Sequence, residues 1–202
     1  RYGNVVGSRG SVIPFFMQKR KEGVLPITDP RMTRFWITLD QGAQFVLDSL
    51  ERMHGGEIFV PKIPSMKIMD VAKAVAPDCR TEIIGIRPGE KLHEIMITPD
   101  DAWNTVELDR YYVIQPAADW WDSKVYKNDM HARQVPDGFQ YSSDRNTEWM
   151  SADDLRALLK RRHATRAWCT TSGSSEWRSA FRLAVNWPNI SPSTICAVSW
   201  SD

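Results

Sequence analysis

Thr81-Glu82-Ile83-Ile84-Gly85-Ile86 runs straight into Arg87-Pro88-Gly89-Glu90-Lys91-Leu92-His93-Glu94, and this stretch decides the fold class. Its first half is a short apolar run closed by turn residues, the pattern of a strand. In open α/β sheets ligands bind beyond the carboxyl ends of strands, so the turn that follows is a candidate site. Arg87 would face an anion there, and Glu90 can accept hydrogen bonds from sugar or ribose hydroxyls. An ordinary turn with an Arg–Glu surface pair is the competing reading. His93 beside Glu94 is expected on a helix surface.

Upstream, strands and helices alternate. Ser11 to Glu22 reads as a helix with a basic last turn, ended by Gly23, and Pro14 is confined to its first turn. Leu25-Pro26-Ile27-Thr28 and Arg34-Phe35-Trp36-Ile37 read as extended pieces. Thr38 with Gln41 three residues on predicts a capping box, and Val46, Leu47, Leu50 and Met53 continue one apolar face until Gly55-Gly56 stops the helix. Glu57 to Pro61 reads as a strand, and Ser65 as the cap of a helix carrying Met69, Val71, Ala72 and Val75. Downstream, Val113-Ile114 is a short strand, and Ser151 with Asp154 caps a final helix bearing Leu155, Leu158 and Leu159. This alternation predicts an α/β chain.

Three regions follow: an α/β part over 1–98, an irregular segment with a final helix over 99–160, and an atypical tail over 161–202. The tail has no lysine, eight serines and four tryptophans, and its apolar positions keep no sustained period. It is expected to be disordered or the product of a shifted reading frame.

Composition narrows the function classes. A net charge of +1 offers no electrostatic footprint for nucleic acid or a membrane surface. No run approaches the roughly 20 apolar residues of a membrane helix, and no signal peptide opens the chain. Cys79, Cys169 and Cys196 are odd in number and lack metal-ligand spacing, which fits a reducing cytoplasm. His54, His93, His131 and His163 are scattered, so no metal site is expected. Arg1-Tyr2-Gly3-Asn4 reads as the inside of a protein rather than its beginning.

Two more loops carry chemistry. Arg1 to Ser11 is a polar, glycine-spaced segment leading into a helix, where free N–H groups and Arg9 favour an anion such as phosphate. An ordinary strand-to-helix turn is the alternative. Arg31 and Arg34 can neutralise a diphosphate, since the guanidinium fork matches phosphate oxygens. The alternative for Arg31 is a solvated pair with Asp29. Taken together, the three loops favour phosphate binding.

At these same loops the sequence resembles the UDP-N-acetylglucosamine 4,6-dehydratases. The residues that carry the resemblance are Arg1 to Ser11, Met32-Thr33-Arg34-Phe35-Trp36-Ile37-Thr38, Gly55 to Lys62 and Arg87 to Glu94. Phe35-Trp36 after Met-Thr-Arg is similar to the configuration-inverting type that opens pseudaminic acid synthesis. The likeness runs from residue 1 to about residue 160. It implies an extended short-chain dehydrogenase/reductase, here the C-terminal part of a Rossmann-type doubly wound sheet plus the smaller substrate-binding domain. By motif, Asn4 would contact substrate, and Val5, Val6, Gly7, Ser8 and Arg9 would line NADP near its nicotinamide. Thr28, Met32, Arg34, Arg87 and Glu90 would hold the UDP moiety.

The family's reaction oxidises sugar carbon 4, eliminates water across carbons 5 and 6, and returns the hydride to carbon 6 with inversion at carbon 5. The glycine-rich nucleotide loop and the Tyr-x-x-x-Lys pair are missing: no Tyr here has Lys four residues on. Catalytic residues are therefore expected upstream of Arg1, and this chain alone is expected to be inactive. The resemblance also implies a cytoplasmic homo-oligomer at full length. The alternatives are a related nucleotide-sugar epimerase, a retaining dehydratase, or a truncated non-catalytic nucleotide-binding module.

Overall fold

The computed structural model describes residues 1–122, 125–126 and 132–160. The reading of the 161–202 tail, with Cys169, Cys196 and His163 in it, lies outside the described residues, as does His131.

The chain is α/β, as the alternation predicts. Strand β1 (Asn4–Val5) leads to helix α1 (Val12–Lys19), whose end passes through a short 3-10 turn to Gly23 at φ 75°. A left-handed residue of this kind is a common helix terminator, and glycine adopts it without steric cost. Strands β2 (Val24–Ile27) and β3 (Thr33–Ile37) follow, then helix α2 (Leu39–Arg52). The expected capping box is present: Gln41 N–H donates to Thr38 Oγ1, and Thr38 N–H donates to Gln41 Oε1. Strands β4 (Ile58–Pro61) and β5 (Ser65–Lys67), helix α3 (Ile68–Val75) and strands β6 (Arg80–Ile83) and β7 (Ile95–Ile97) complete the first stretch. Beyond it lie β8 (Thr105–Glu107), β9 (Tyr111–Ile114), β10 (Arg133–Gln134) and β11 (Tyr141–Ser142), then a helix over 152–160, here α4. Ser151 and Asp154 cap α4 reciprocally, as expected.

Two pairings are parallel, β1 with β3 and β2 with β6. The others are antiparallel: β5 on β3, β11 on β7, and a four-stranded sheet in the order β10-β8-β9-β4. Residues Arg1–Leu159 form one unit. Strand β3 is its partition, because side chains alternate across a strand. Trp36 enters a core with Val6, Phe16, Leu25, Val71 and Leu155. Phe35 and Ile37 enter a second core with Val60, Ile97, Tyr112 and Tyr141.

Three local expectations are corrected. Ser65 does not cap α3; it is buried in β5, opposite Phe35, and the helix starts after Lys67. Its backbone is already bound, with Ser65 N–H donating to Glu148 O and Met150 N–H to Ser65 O. The strand expected over 81–86 ends at Ile83, after which Ile84 N–H makes one further bond to Ile27 O and Gly85 turns the chain at φ 85°. Helix α2 forms as expected, with Val46, Leu47, Leu50 and Met53 all exposed. His93 lies in a bend and Glu94 directly before β7, not on a helix.

Candidate functional site

Strand β3 builds the site along the edge it shares with β1, its other edge being taken by β5. Toward its end β1 runs parallel to it and places Asn4 opposite Trp36. Toward its start the segment after Arg87 is drawn against it, where Thr33 N–H donates to Leu92 O at 3.2 Å. Arg34 completes that join. Its guanidinium donates to Lys91 O at 2.8 Å, to Leu92 O at 3.0 Å and to its own neighbour Thr33 O at 2.7 Å. A rigid planar fork suits three carbonyls at fixed positions, and the side chain is largely buried.

Below this clamp lies a polar cluster. Glu94 accepts from Phe35 N–H at 3.3 Å, and its Oε1 lies 3.9 Å from Arg34 Nε. The Asn4 amide nitrogen donates to Glu94 Oε1 at 2.8 Å and Oε2 at 3.1 Å. This is the orientation hydrogen bonding requires, because a carboxylate has no proton to offer an amide oxygen. Burial pushes the Glu94 carboxyl above its ordinary range, against the opposing pull of Phe35 N–H, Arg34 and Lys91. Glu94 N–H donates to Ser143 Oγ, whose hydroxyl donates to Thr33 O. Thr33 Oγ1 lies 2.7 Å from Ser143 Oγ and 2.8 Å from His93 Nδ1.

The structure therefore brings Asn4, Arg34 and the stem of the Arg87–Glu90 turn together. In that turn Arg87 N–H donates to Glu90 Oε2 and Glu90 N–H to Arg87 O, with Gly89 at φ 84°. Both side chains are exposed, and among the described residues no ion pair is made between them. Met32 is buried below Arg34, whose Nη2 lies 3.7 Å from Met32 Sδ. Thr28 follows β2, half-buried. Arg31 is bound bidentately by Asp29, and that bond holds the Asp29 carboxyl down to about 2.

The turn after β1 is open at its tip. Val6 is buried in the core, its N–H donating to Ile37 O, while Ser8, Arg9 and Gly10 are exposed. Gly7 and Gly10 have φ 66° and 71°, and nothing lies within 4 Å of a Cβ position at Gly10. A glycine-lined tip at the carboxyl end of a parallel strand fits a dinucleotide phosphate or ring approaching the backbone closely.

Glu94, Ser143 and the Arg34 clamp escaped the sequence reading. Glu94 is tied to Asn4, 90 positions upstream, and Ser143 to Thr33, 110 positions away, and no short-range pattern encodes such pairs. A cavity of about 350 Å³ lies elsewhere, between α2 and the sheet carrying β4 and β9, lined by Arg52, Lys62, Tyr111 and Glu148. It contains none of the predicted residues. Among the described residues no helix is long and apolar enough to cross a membrane.

On this α/β scaffold the open glycine turn after β1 and the arginine-clamped loop after β6 both meet β3. A family profile described as polysaccharide biosynthesis protein matches residues 1–116, more than half of the chain, and the chain belongs to that family. It is 55% identical over 165 residues to an inverting UDP-N-acetylglucosamine 4,6-dehydratase of Campylobacter jejuni, a match over 79% of this chain and 49% of that protein. It is 37% identical over 164 residues to a UDP-glucose 4-epimerase of Rickettsia conorii, over 79% of this chain and 48% of that one. The X-ray structure of Pen from Bacillus thuringiensis superposes with a TM-score of 0.66 at 31% identity, over 81% of this chain and 49% of that one. The chain thus spans about half the length of the curated relatives it matches. That likeness agrees with the Rossmann-type α/β class expected from the sequence.

Proposed function

We propose that this chain is the substrate-gripping part of an inverting UDP-N-acetylglucosamine 4,6-dehydratase, serving the synthesis of a pseudaminic-acid-type surface sugar. The observation that carries the reading is the Arg34 clamp, which ties two loops read as UDP-binding into one surface beside Asn4. Arg34 and Arg87 would face the diphosphate, Glu90 the ribose or sugar hydroxyls, and Thr28 and Met32 the rest of the UDP moiety. Asn4 would meet the sugar end of the substrate. The Val5–Arg9 turn would line NADP, which supplies the hydride acceptor and donor for oxidation and re-reduction.

Within this proposal, proton transfer at carbon 4 belongs to a Tyr-x-x-x-Lys pair, which this sequence does not contain. What these residues do is bind and orient: two guanidiniums neutralise phosphate charge, and hydrogen bonds fix the sugar for chemistry performed by others. Within the same proposal the chain divides at 1–98, 99–160 and 161–202, and the whole protein is cytoplasmic and homo-oligomeric.

The test joins this chain to the remaining half of its relatives' length and supplies UDP-N-acetylglucosamine and NADP. A UDP-4-keto-6-deoxy sugar inverted at carbon 5 supports the reading, and its absence sinks it. A UDP-sugar 4-epimerase is the second reading, favoured by the Rickettsia likeness. A product altered only in configuration at carbon 4 would choose it instead.

A further inference from the structure

Strand β6 carries its sheet past the edge of the core. In the β2–β6 pairing Leu25 stands beside Thr81 and Ile27 beside Ile83. Residues paired in this way point to the same face of a sheet. Leu25 and Ile27 are fully buried on that face, whereas every residue of β6 is exposed, Ile83 by 65%. The buried face therefore continues onto β6 and is left bare there.

The outer edge of β6 is open as well. Arg80 N–H donates to Gly23 O and Ile84 N–H to Ile27 O. Backbone groups alternate along a strand, so Thr81 and Ile83 turn their N–H and C=O away from β2. Among the described residues no strand pairs with that edge. The opposite edge of the same sheet differs, because Pro26 of β2 has no N–H to offer, a common way to blunt an edge.

Charge decides what the open edge can pair with. Arg80 and Glu82 project from the face of β6 opposite to Ile83, and among the described residues neither has an ion-pair partner. When two copies of β6 lie antiparallel about Thr81, each Arg80 stands directly opposite Glu82 of the partner subunit. Thr81 then exchanges both backbone bonds with Thr81 of the partner subunit. Each Ile83 meets Cys79 of the partner subunit, a small apolar neighbour. Centring the pair on Arg80 or on Glu82 sets like charges face to face, and so does parallel pairing in register. The charges thus match in the arrangement centred on Thr81.

We propose that the outer edge of β6 is the interface for a second copy of this chain. The two copies join antiparallel about Thr81, so that β2 and β6 of both form one continuous sheet. This gives the homo-oligomer a defined contact in the fold. It uses none of the residues assigned to nucleotide binding, so it stands or falls apart from that reading.

The test needs no ligand. Sedimentation equilibrium of the full chain should show a monomer–dimer equilibrium, followed to about 100 μM because so short an interface associates weakly. Arg80→Glu sets acid opposite acid, and Glu82→Arg sets base opposite base. Each should weaken the dimer by about tenfold or more. Combining Arg80→Glu with Glu82→Arg restores opposite charges and should return association to near the wild-type level. Thr81→Pro removes an outward N–H that the β2 ladder does not use. It should abolish the dimer while leaving the thermal midpoint of the monomer close to wild type. Amide exchange at Thr81 and Ile83 should slow as protein concentration rises.

A chain that stays monomeric over that range overturns the proposal. So does a dimer indifferent to both single reversals, or one that the paired reversal fails to recover. Slow exchange at Thr81 that ignores concentration also overturns it, since the edge is then covered within one chain.

Discussion

Replacing Arg34 by Ala removes the clamp that fixes the 87–94 segment to β3. Two of its bonds cross to that segment, at Lys91 O and Leu92 O. Hydrogen bonds to a charged partner contribute about 1.5–3 kcal/mol each, which would give about 3–6 kcal/mol for the two. Two features lower that figure. Leu92 O keeps a second donor, Thr33 N–H, and Lys91 lies at the exposed surface, where water can replace the lost partner. We expect Arg34→Ala to cost about 2–3 kcal/mol, read as a lower urea midpoint at unchanged slope. Arg34→Lys should recover less than half, because one ammonium cannot span two carbonyls as a planar fork does. Amide exchange should rise over residues 91–94 in both variants. A loss below about 1 kcal/mol in Arg34→Ala, or full recovery by Arg34→Lys, would refute the clamp.

Other substitutions test the surrounding packing and charge. Gly3→Ala puts a Cβ 2.5 Å from Phe35 Cβ and 2.9 Å from Phe35 O, so thermal unfolding should show a loss of about 1–3 kcal/mol. Tyr141 donates to Ile63 O and accepts from Ile63 N–H, and burial pushes its hydroxyl up to about 12. Tyr141→Phe leaves that buried N–H unmet and should cost about 1–3 kcal/mol in denaturant unfolding. Leu47→Gln and Leu50→Gln should stay within about 0.5 kcal/mol of wild type, since both side chains are already exposed.

The acid limb of stability separates two carboxylates of opposite sign. Asp29, held down to about 2 by Arg31, contributes stability that is present above its ordinary carboxyl range and lost as pH falls toward 2. Glu94 is raised, so its contribution is present below the ordinary glutamate range and lost as pH rises through its folded value. Arg31→Ala should therefore weaken the loss of stability between about pH 4 and 2, and Glu94→Gln should remove a decline that begins above about pH 4.5. Unaltered pH–stability curves in both variants would contradict these assignments.

What the sequence disclosed was what neighbouring residues decide among themselves. Thr38 with Gln41 and Ser151 with Asp154 each close a cap within three residues, and both form. Gly23 ends α1 through its own backbone freedom. Ser65 was misread because its true partners, Phe35, Asn146 and Glu148, lie far along the chain and outbid a local cap. The two-residue strands β10 and β11 carry no periodicity to detect; they exist because β8 and β7 offer paired edges. At the site, arginine and glycine marked the loops, but Arg34 turned out to grip the neighbouring backbone. Glu94 drew no notice beyond its helix-like company with His93.

The central claim is that these loops hold a uridine diphosphate, and titration calorimetry of UDP into the full chain tests it most directly. Saturable one-to-one binding is expected, weakened by about 1.5–3 kcal/mol in Arg87→Ala and by a similar amount in Arg34→Ala. Arg87 is the sharper probe, because its exposed side chain can be removed without disturbing a buried contact. No binding to the wild-type chain, or wild-type affinity retained in both variants, would contradict the account.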